Sequence, residues 1–372
     1  MYGVIQRLSC VGVVLFVLLV ASLPGIMLLP MVVARDPVLS ASDISASSAI
    51  VISTDTGDVL WEKSATAQHP MASTTKIMTA LIAIECSQQP LPAYCPRSVN
   101  RTFTLNETVE VGQNPQTVGG SLMNGCHRPN EEKCSPNNNL RKGERLTLLN
   151  LLHGVLLPSG NDAALAVAEF IACGNSSLVN SGTTCSTSFV KMMNARAGFD
   201  DLALGDTRYQ NPHGLDTVGH FSSAYDLAKL ARVALRNPTF ASIVQTFRYD
   251  VQSLGPTDEI KNYRLQNTNR LLDNDNNTST WRYPGAQGVK TGTTKRAGYC
   301  LVSTITLQGR SIIAVVLDSS SNRNRYQDSK KLLDYGSNAV VIPEFQLPAI
   351  IAIIMITGSA QLLRRRRKML YV

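Results

Sequence analysis

The run from Gly288 to Leu317, GVKTGTTKRAGYCLVSTITLQGRSIIAVVL, carries the clearest structural signature in the chain. Val289–Thr294, Tyr299–Leu307 and Ser311–Leu317 are runs of strand length, rich in β-branched residues. Gln308-Gly309-Arg310 turns the last two into a hairpin. A helix over Gln327–Ser337 closes this region. At the other end, Ala49–Ser53 and Val59–Lys63 read as a second hairpin around Asp55-Thr56-Gly57-Asp58. Between the two hairpins the apolar spacing is helical. One helix begins near Ser73, with Ile77, Leu81 and Ile84 in register. Others cover Leu146–Leu157, Ala163–Phe170, Thr187–Ala197 and Ser223–Leu235. Pro158 breaks the second from the third. Residues 86–142, rich in Pro, Asn, Gly and Cys, read as surface insertions. Sequential hairpins flanking a helical middle predict one α+β domain, an antiparallel sheet covered by helices.

Composition excludes several partners. The chain has 372 residues and a formal charge of +8. Arg7 and the tail residues Arg364, Arg365, Arg366, Arg367 and Lys368 account for six of its 35 basic residues; the 29 that remain face 27 acidic ones. The body is near neutral, and no nucleic acid is expected as a partner. Both ends are apolar. Residues 1–34 fit a signal peptide, with Val32-Val33-Ala34 as a cleavage site, or an uncleaved anchor. Residues 35–47 follow as a linker, and 48–340 as the functional domain. Residues 345–363 suit a transmembrane helix, and the basic tail 364–372 belongs in the cytoplasm. The body is therefore expected on the outer side of a membrane. The rival reading, a buried core helix with a solvated tail, conflicts with four arginines abutting the apolar run. Cysteine spacing agrees with export: Cys86 with Cys95, Cys126 with Cys134 and Cys173 with Cys185 form local pairs that suit disulfides, and Cys300 is left as a buried thiol. His69, His127, His153 and His220 show no ligand-like spacing, so neither a metal nor a cofactor is expected.

Three short motifs carry chemistry. Ser73-Thr74-Thr75-Lys76 places a hydroxyl and an amine three apart on one helical face. A serine hydroxyl needs a base, and burial would lower the Lys76 pKa enough to make it one. Ser159-Gly160-Asn161 lies at the break between two apolar helices, where it can reach a cleft. Lys290-Thr291-Gly292-Thr293 sits on a strand, where a cation beside hydroxyls suits a carboxylate. Each motif alone is weak: Ser188-Phe189-Val190-Lys191 also spells S-x-x-K, and a solvated helix face is the ordinary explanation. Order and context carry the weight.

In this order the trio resembles the penicillin-recognising serine enzymes, and most closely the low-molecular-weight D-alanyl-D-alanine carboxypeptidases of peptidase family S11. The resemblance extends to Pro70-Met71-Ala72-Ser73-Thr74-Thr75-Lys76-Ile77-Met78-Thr79-Ala80, Leu157-Pro158-Ser159-Gly160-Asn161-Asp162-Ala163-Ala164, Asn211-Pro212-His213-Gly214-Leu215, Gly288-Val289-Lys290-Thr291-Gly292-Thr293-Thr294 and Ala297-Gly298-Tyr299. It implies a β-lactamase/transpeptidase-like fold with a helical subdomain, and a peptidoglycan stem peptide ending in D-Ala-D-Ala as substrate. Ser73 would be the nucleophile and Lys76 its base. Ser159 would relay a proton to the leaving D-alanine, and Asn161 would position Lys76. Lys290, Thr291, Gly292 and Thr293 would bind the substrate, with the backbone N–H groups of Ser73 and Thr293 as the oxyanion hole. His213 would support the site from behind, and β-lactams would trap Ser73. The second β-rich domain common in the family is not expected here. A serine β-lactamase and a non-catalytic wall-binding protein are the alternatives.

Overall fold

The computed structural model describes residues 39–95, 103–124, 140–175, 182–273, 280–307 and 309–338. The chain begins with two strands, β1 (Ser48–Ser53) and β2 (Val59–Lys63). A 3-10 turn over Ala72–Thr75 then leads into helix α1 (Lys76–Glu85). There follow β3 (Thr108–Glu110), α2 (Gln113–Thr117), β4 (Arg145–Thr147), α3 (Leu148–Leu156), α4 (Asn161–Cys173), α5 (Gly182–Ala197), α6 (Ala224–Leu235) and α7 (Pro238–Gln245). The chain returns to strands with β5 (Arg248–Leu254), β6 (Ile260–Gln266), β7 (Ala286–Thr294), β8 (Gly298–Leu307) and β9 (Arg310–Ser319), and α8 (Asn322–Asn338) comes last.

The predicted hairpins join into one five-stranded antiparallel sheet, ordered β2-β1-β9-β8-β7. Its central strands are apolar on both faces, and the period of two sorts them. On β9, Ile313, Val315 and Leu317 enter the core that holds the helical middle. Ile312, Ala314 and Val316 face the opposite core with Tyr326, Leu332 and Leu333 of α8. A one-residue slip would exchange the two sets, so the register Ile50↔Val315 between β1 and β9 is strongly specified. Helix α1 is the hub of the helical side, with nine of its ten residues buried. A helix apolar all round belongs inside a protein, and here the buried set includes Lys76.

A second antiparallel sheet, β3-β4-β5-β6, was not expected. It takes residues from the region read as surface insertions, where Val109, Val111, Met123 and Leu140 are buried. The helix predicted over Leu146–Leu157 begins at Leu148, because Thr147 caps it: the Thr147 hydroxyl accepts from the Asn150 N–H at 3.2 Å. In the stretch read as a linker, Ile44 and Ala46 are buried, and Asp328 of α8 accepts from the N–H groups of Ser45 and Ala46.

Disulfides join Cys86 to Cys95 and Cys173 to Cys185, with Cα atoms 5.7 and 5.8 Å apart. Cys300 is a buried free thiol. The predicted pair Cys126–Cys134, the leader at 1–34, and the apolar run at 345–363 with its basic tail lie outside the described residues. Among the described residues, no helix is long and apolar enough to cross a membrane.

Candidate active site

Ser73 lies in the 3-10 turn that feeds α1. The turn is tight: Ala72 takes φ +48°, a left-handed conformation that alanine seldom adopts. Gly214, at φ +91°, lies against it, and a Cβ there would overlap the Ala72 carbonyl. This explains the glycine of Asn211-Pro212-His213-Gly214-Leu215.

One helical step beyond Ser73, the Lys76 Nζ is 2.9 Å from the Ser73 Oγ, 2.7 Å from the Asn161 Oδ1 and 2.5 Å from the His213 carbonyl oxygen. Two of these partners can only accept. A neutral amine donates to both and keeps its lone pair for the Ser73 hydroxyl proton. The environment favours that neutral form. Burial pushes the Lys76 pKa well below its ordinary value, the Lys290 charge pushes the same way, and Asp162 opposes them.

Asn161 is the first residue of α4. Its Nδ2 donates to the Gly119 carbonyl at 2.7 Å, which leaves its Oδ1 turned to Lys76. Gly160 has no room for a side chain: a Cβ would come within 2.8 Å of Asp162 Oδ1 and 2.9 Å of the Met123 nitrogen. Ser159 takes φ +69°, and its buried hydroxyl has no hydrogen-bond partner among the described residues. An unpaired hydroxyl in a buried position calls for a functional account. Asp162, one residue past the motif, accepts from the N–H groups of Met123 and Leu140 and so pins the segments beside the cleft. Burial raises its pKa to about 6.

The third motif lies on β7, an edge strand that runs against the Ser73 turn. Gly292 allows this approach, since a Cβ there would sit 3.1 Å from Ala72 Cβ and 3.2 Å from the Ser73 nitrogen. Lys290 is buried, and burial lowers its pKa to about 7, aided by the Arg325 charge. The Thr291 hydroxyl points inward, 2.6 Å from the Thr268 hydroxyl. Thr268 in turn donates its N–H to the Leu157 carbonyl at 3.0 Å, tying β7 to the segment before Ser159. Thr293 is the exposed hydroxyl of the pair. The motifs thus meet pairwise: first with second through Lys76 and Asn161, third with first at Gly292, and third with second through Thr268.

Two features were invisible in the motifs. Arg325 of α8 reaches across the sheet: its Nη1 donates to the Gly292 carbonyl at 3.1 Å and to the Thr293 Oγ1 at 3.0 Å, while its buried Nε has no hydrogen-bond partner among the described residues. Nothing in the polar stretch Asn322-Arg323-Asn324-Arg325 signals this, because arginines at a helix start are usually solvated. The second is His220, whose Nε2 lies 2.8 Å from Thr75 Oγ1. His213 contributes its carbonyl to Lys76, while its Nδ1 accepts from the Leu215 N–H at 3.2 Å. Burial first, then the charges of Lys76 and His220, lower the His213 pKa to about 3, so the ring is neutral. Among the described residues, no cluster of His, Cys, Asp or Glu could hold a metal ion.

A desolvated amine held against a hydroxyl, beside the edge strand of a sheet, suits a serine peptidase that works through an acyl-enzyme. The chain belongs to the D-alanyl-D-alanine carboxypeptidase family, peptidase S11, whose family model matches residues 35–321. It is 33% identical to the D-alanyl-D-alanine carboxypeptidase DacF of Bacillus subtilis, over 86% of this chain and 70% of the relative. It is 30% identical to the D-alanyl-D-alanine carboxypeptidase of Streptomyces sp. strain K15, over 79% of this chain and 87% of that one. Among solved structures, the Streptomyces K15 DD-transpeptidase superposes with a TM-score of 0.64 at 30% identity, covering 80% of this chain and 98% of its own.

Proposed function

We propose that this carboxypeptidase removes the terminal D-alanine of peptidoglycan stem peptides through an ester on Ser73. As Ser73 Oγ attacks the carbonyl between the two D-alanines, its proton passes to Lys76 Nζ. The resulting oxyanion is taken by the backbone N–H groups of Ser73 and Thr293. The C–N bond then breaks, and the leaving amine receives a proton delivered through Ser159, whose free hydroxyl is suited to that relay. Water next adds to the ester carbonyl, the bond to Ser73 Oγ breaks, and Oγ regains its proton as the shortened peptide leaves. The substrate's terminal carboxylate is received by Thr293 and Arg325 in the field of Lys290. A β-lactam, whose amide lies in the same place, forms the same ester and inhibits.

The observation that carries this reading is the triple contact of Lys76 Nζ with Ser73, Asn161 and the His213 carbonyl. Its test is D-alanine release from diacetyl-L-lysyl-D-alanyl-D-alanine by wild type and Ser73→Ala. The variant is expected to release none above background; equal rates in both would reject the assignment.

We further propose that residues 48–340 form the catalytic domain, that it works outside the cytoplasm, and that residues 345–363 anchor it to the membrane. The two disulfides support the oxidising compartment. The apolar run before four arginines supports the anchor. Recovery of the full-length chain in a membrane fraction that releases it to detergent and not to high salt is the expected result; recovery as a salt-soluble protein would overturn the anchor.

A further inference from the structure

Two buried side chains form a one-way hydrogen-bond relay that ends on the peptide unit carrying the Ser73 amide. His220 Nδ1 lies 2.9 Å from the Gln210 backbone nitrogen. A backbone N–H can only donate, so Nδ1 is bare and the ring proton sits on Nε2. That proton is donated to Thr75 Oγ1, 2.8 Å away. The Thr75 hydroxyl then donates to the Ala72 carbonyl oxygen at 2.7 Å, which can only accept. Every link therefore has one direction, from ring to hydroxyl to carbonyl.

The end point matters because the Ala72 C=O and the Ser73 N–H belong to one planar peptide unit. Fixing the carbonyl fixes the direction of the N–H, in a turn where Ala72 already holds a left-handed φ of +48°. A donor on the carbonyl also polarises the amide and makes its N–H a stronger donor. On the N–H side, β7 passes with Gly292, where a Cβ would crowd the Ser73 nitrogen at 3.2 Å. The relay is sheltered: Thr75 is 0% exposed and His220 5%. The charged and titratable groups facing His220 are Asp216, which favours a charged ring, and Lys76, which disfavours it, with His213 and the Tyr209 ring alongside. Burial dominates and brings the His220 pKa to about 4, so the direction of the relay holds at neutral pH.

We propose that His220, acting through Thr75, is a positioning residue that aims and strengthens the Ser73 backbone N–H as an oxyanion donor. The inference rests on Ser73 being the nucleophile. It predicts a loss in the transition state, not in substrate binding.

The test compares Thr75→Val, Thr75→Ser, His220→Leu, His220→Gln and the Thr75→Val/His220→Leu double variant, all checked for native melting behaviour. Thr75→Val and His220→Leu are expected to lower kcat for D-alanine release, and the rate of acylation by fluorescent penicillin, by about ten- to a hundredfold with KM nearly unchanged, less than outright removal of an oxyanion donor. Thr75→Ser keeps the hydroxyl and His220→Gln keeps an N–H donor, so both recover most of the rate. The double variant is expected to be no slower than Thr75→Val, since both changes cut one chain. If Thr75→Val does not fold, the contrast between His220→Leu and His220→Gln decides. Wild-type rates in the disrupting variants, losses that multiply in the double variant, or losses confined to KM would overturn the proposal. Ser73→Ala in the same series separates the two readings: activity surviving in that variant removes the nucleophile itself, whereas its loss beside a normal Thr75→Val removes only the relay.

Discussion

Lys76 Nζ and Ser73 Oγ lie 2.9 Å apart, with the amine buried and the hydroxyl at the cleft. The contact works as base and nucleophile only if the amine is neutral, and two fixed acceptors, Asn161 Oδ1 and the His213 carbonyl, orient its N–H bonds away from the serine. The protein therefore controls both the protonation of the base and the direction of its lone pair.

Protonation is open to test through Lys290. Burial is the largest cause of the low Lys76 pKa, and the Lys290 charge adds to it. Removing that charge favours protonated Lys76, so a higher pH is needed to free the base. In Lys290→Gln, the acid limb of the penicillin acylation rate is expected to move to higher pH, and the maximal rate to fall as well. An acid limb at the wild-type position would show that the two amines do not interact.

The buried histidines predict a pH dependence of stability. The folded pKa values of His213 and His220 lie near 3 and 4, depressed chiefly by burial, whereas the unfolded chain titrates at about 6.5. Below about pH 6.5 the unfolded chain binds protons that the native state refuses. Stability is thus complete above about pH 6.5 and falls as the pH drops toward 4, by up to ~1.4 kcal/mol per pH unit for each ring. Asp162, raised to about 6 by burial, acts in the opposite sense below that pH. The difference between wild type and His220→Gln isolates the ring: thermal melts from pH 7 to 4.5 should fall less steeply in the variant. Parallel slopes would contradict the assignment of a neutral, buried His220.

Gly214→Ala should destroy the site locally. The substitution puts a methyl group onto the Ala72 carbonyl at a residue with φ +91°. Strain and overlap together should cost about 3 kcal/mol or more, lowering the melting temperature and abolishing penicillin labelling. A normally labelled, normally stable variant would show that the turn has room to move.

Arg325 is expected to matter for the free carboxylate of the substrate. A charged hydrogen bond contributes about 1.5–3 kcal/mol, so Arg325→Leu should lower kcat/KM for a D-Ala-D-Ala acid by roughly ten- to a hundredfold. The same substitution should cost little on the matching C-terminal amide. Equal losses on both substrates would mean that Arg325 only braces Gly292 and Thr293.

Much of this was legible from residue order. The main sheet declared itself because its strands are long, β-branched and bounded by turn residues, and α1 because Ile77, Leu81 and Ile84 recur at helical spacing. The second sheet was missed for a physical reason: β5 and β6 each bury only alternate positions, Val251 and Ser253 on one, Tyr263 and Leu265 on the other. Such sparse, polar strands read as loop. The Pro-, Asn- and Gly-rich insertions hid β3, and β4 was absorbed into the start of the helix predicted over Leu146–Leu157. In the site, the motif residues were visible because their chemistry is local in sequence. Arg325 and His220 were not, since each acts on a turn or strand from an element distant along the chain, and neither residue type signals that on its own.

The most direct test of the account is the covalent one. Purified protein treated with penicillin should gain the mass of one inhibitor molecule, carried after proteolysis by the peptide that holds Ser73, and Ser73→Ala should gain none. An adduct mapped to another residue, or an unmodified wild-type protein, would contradict it.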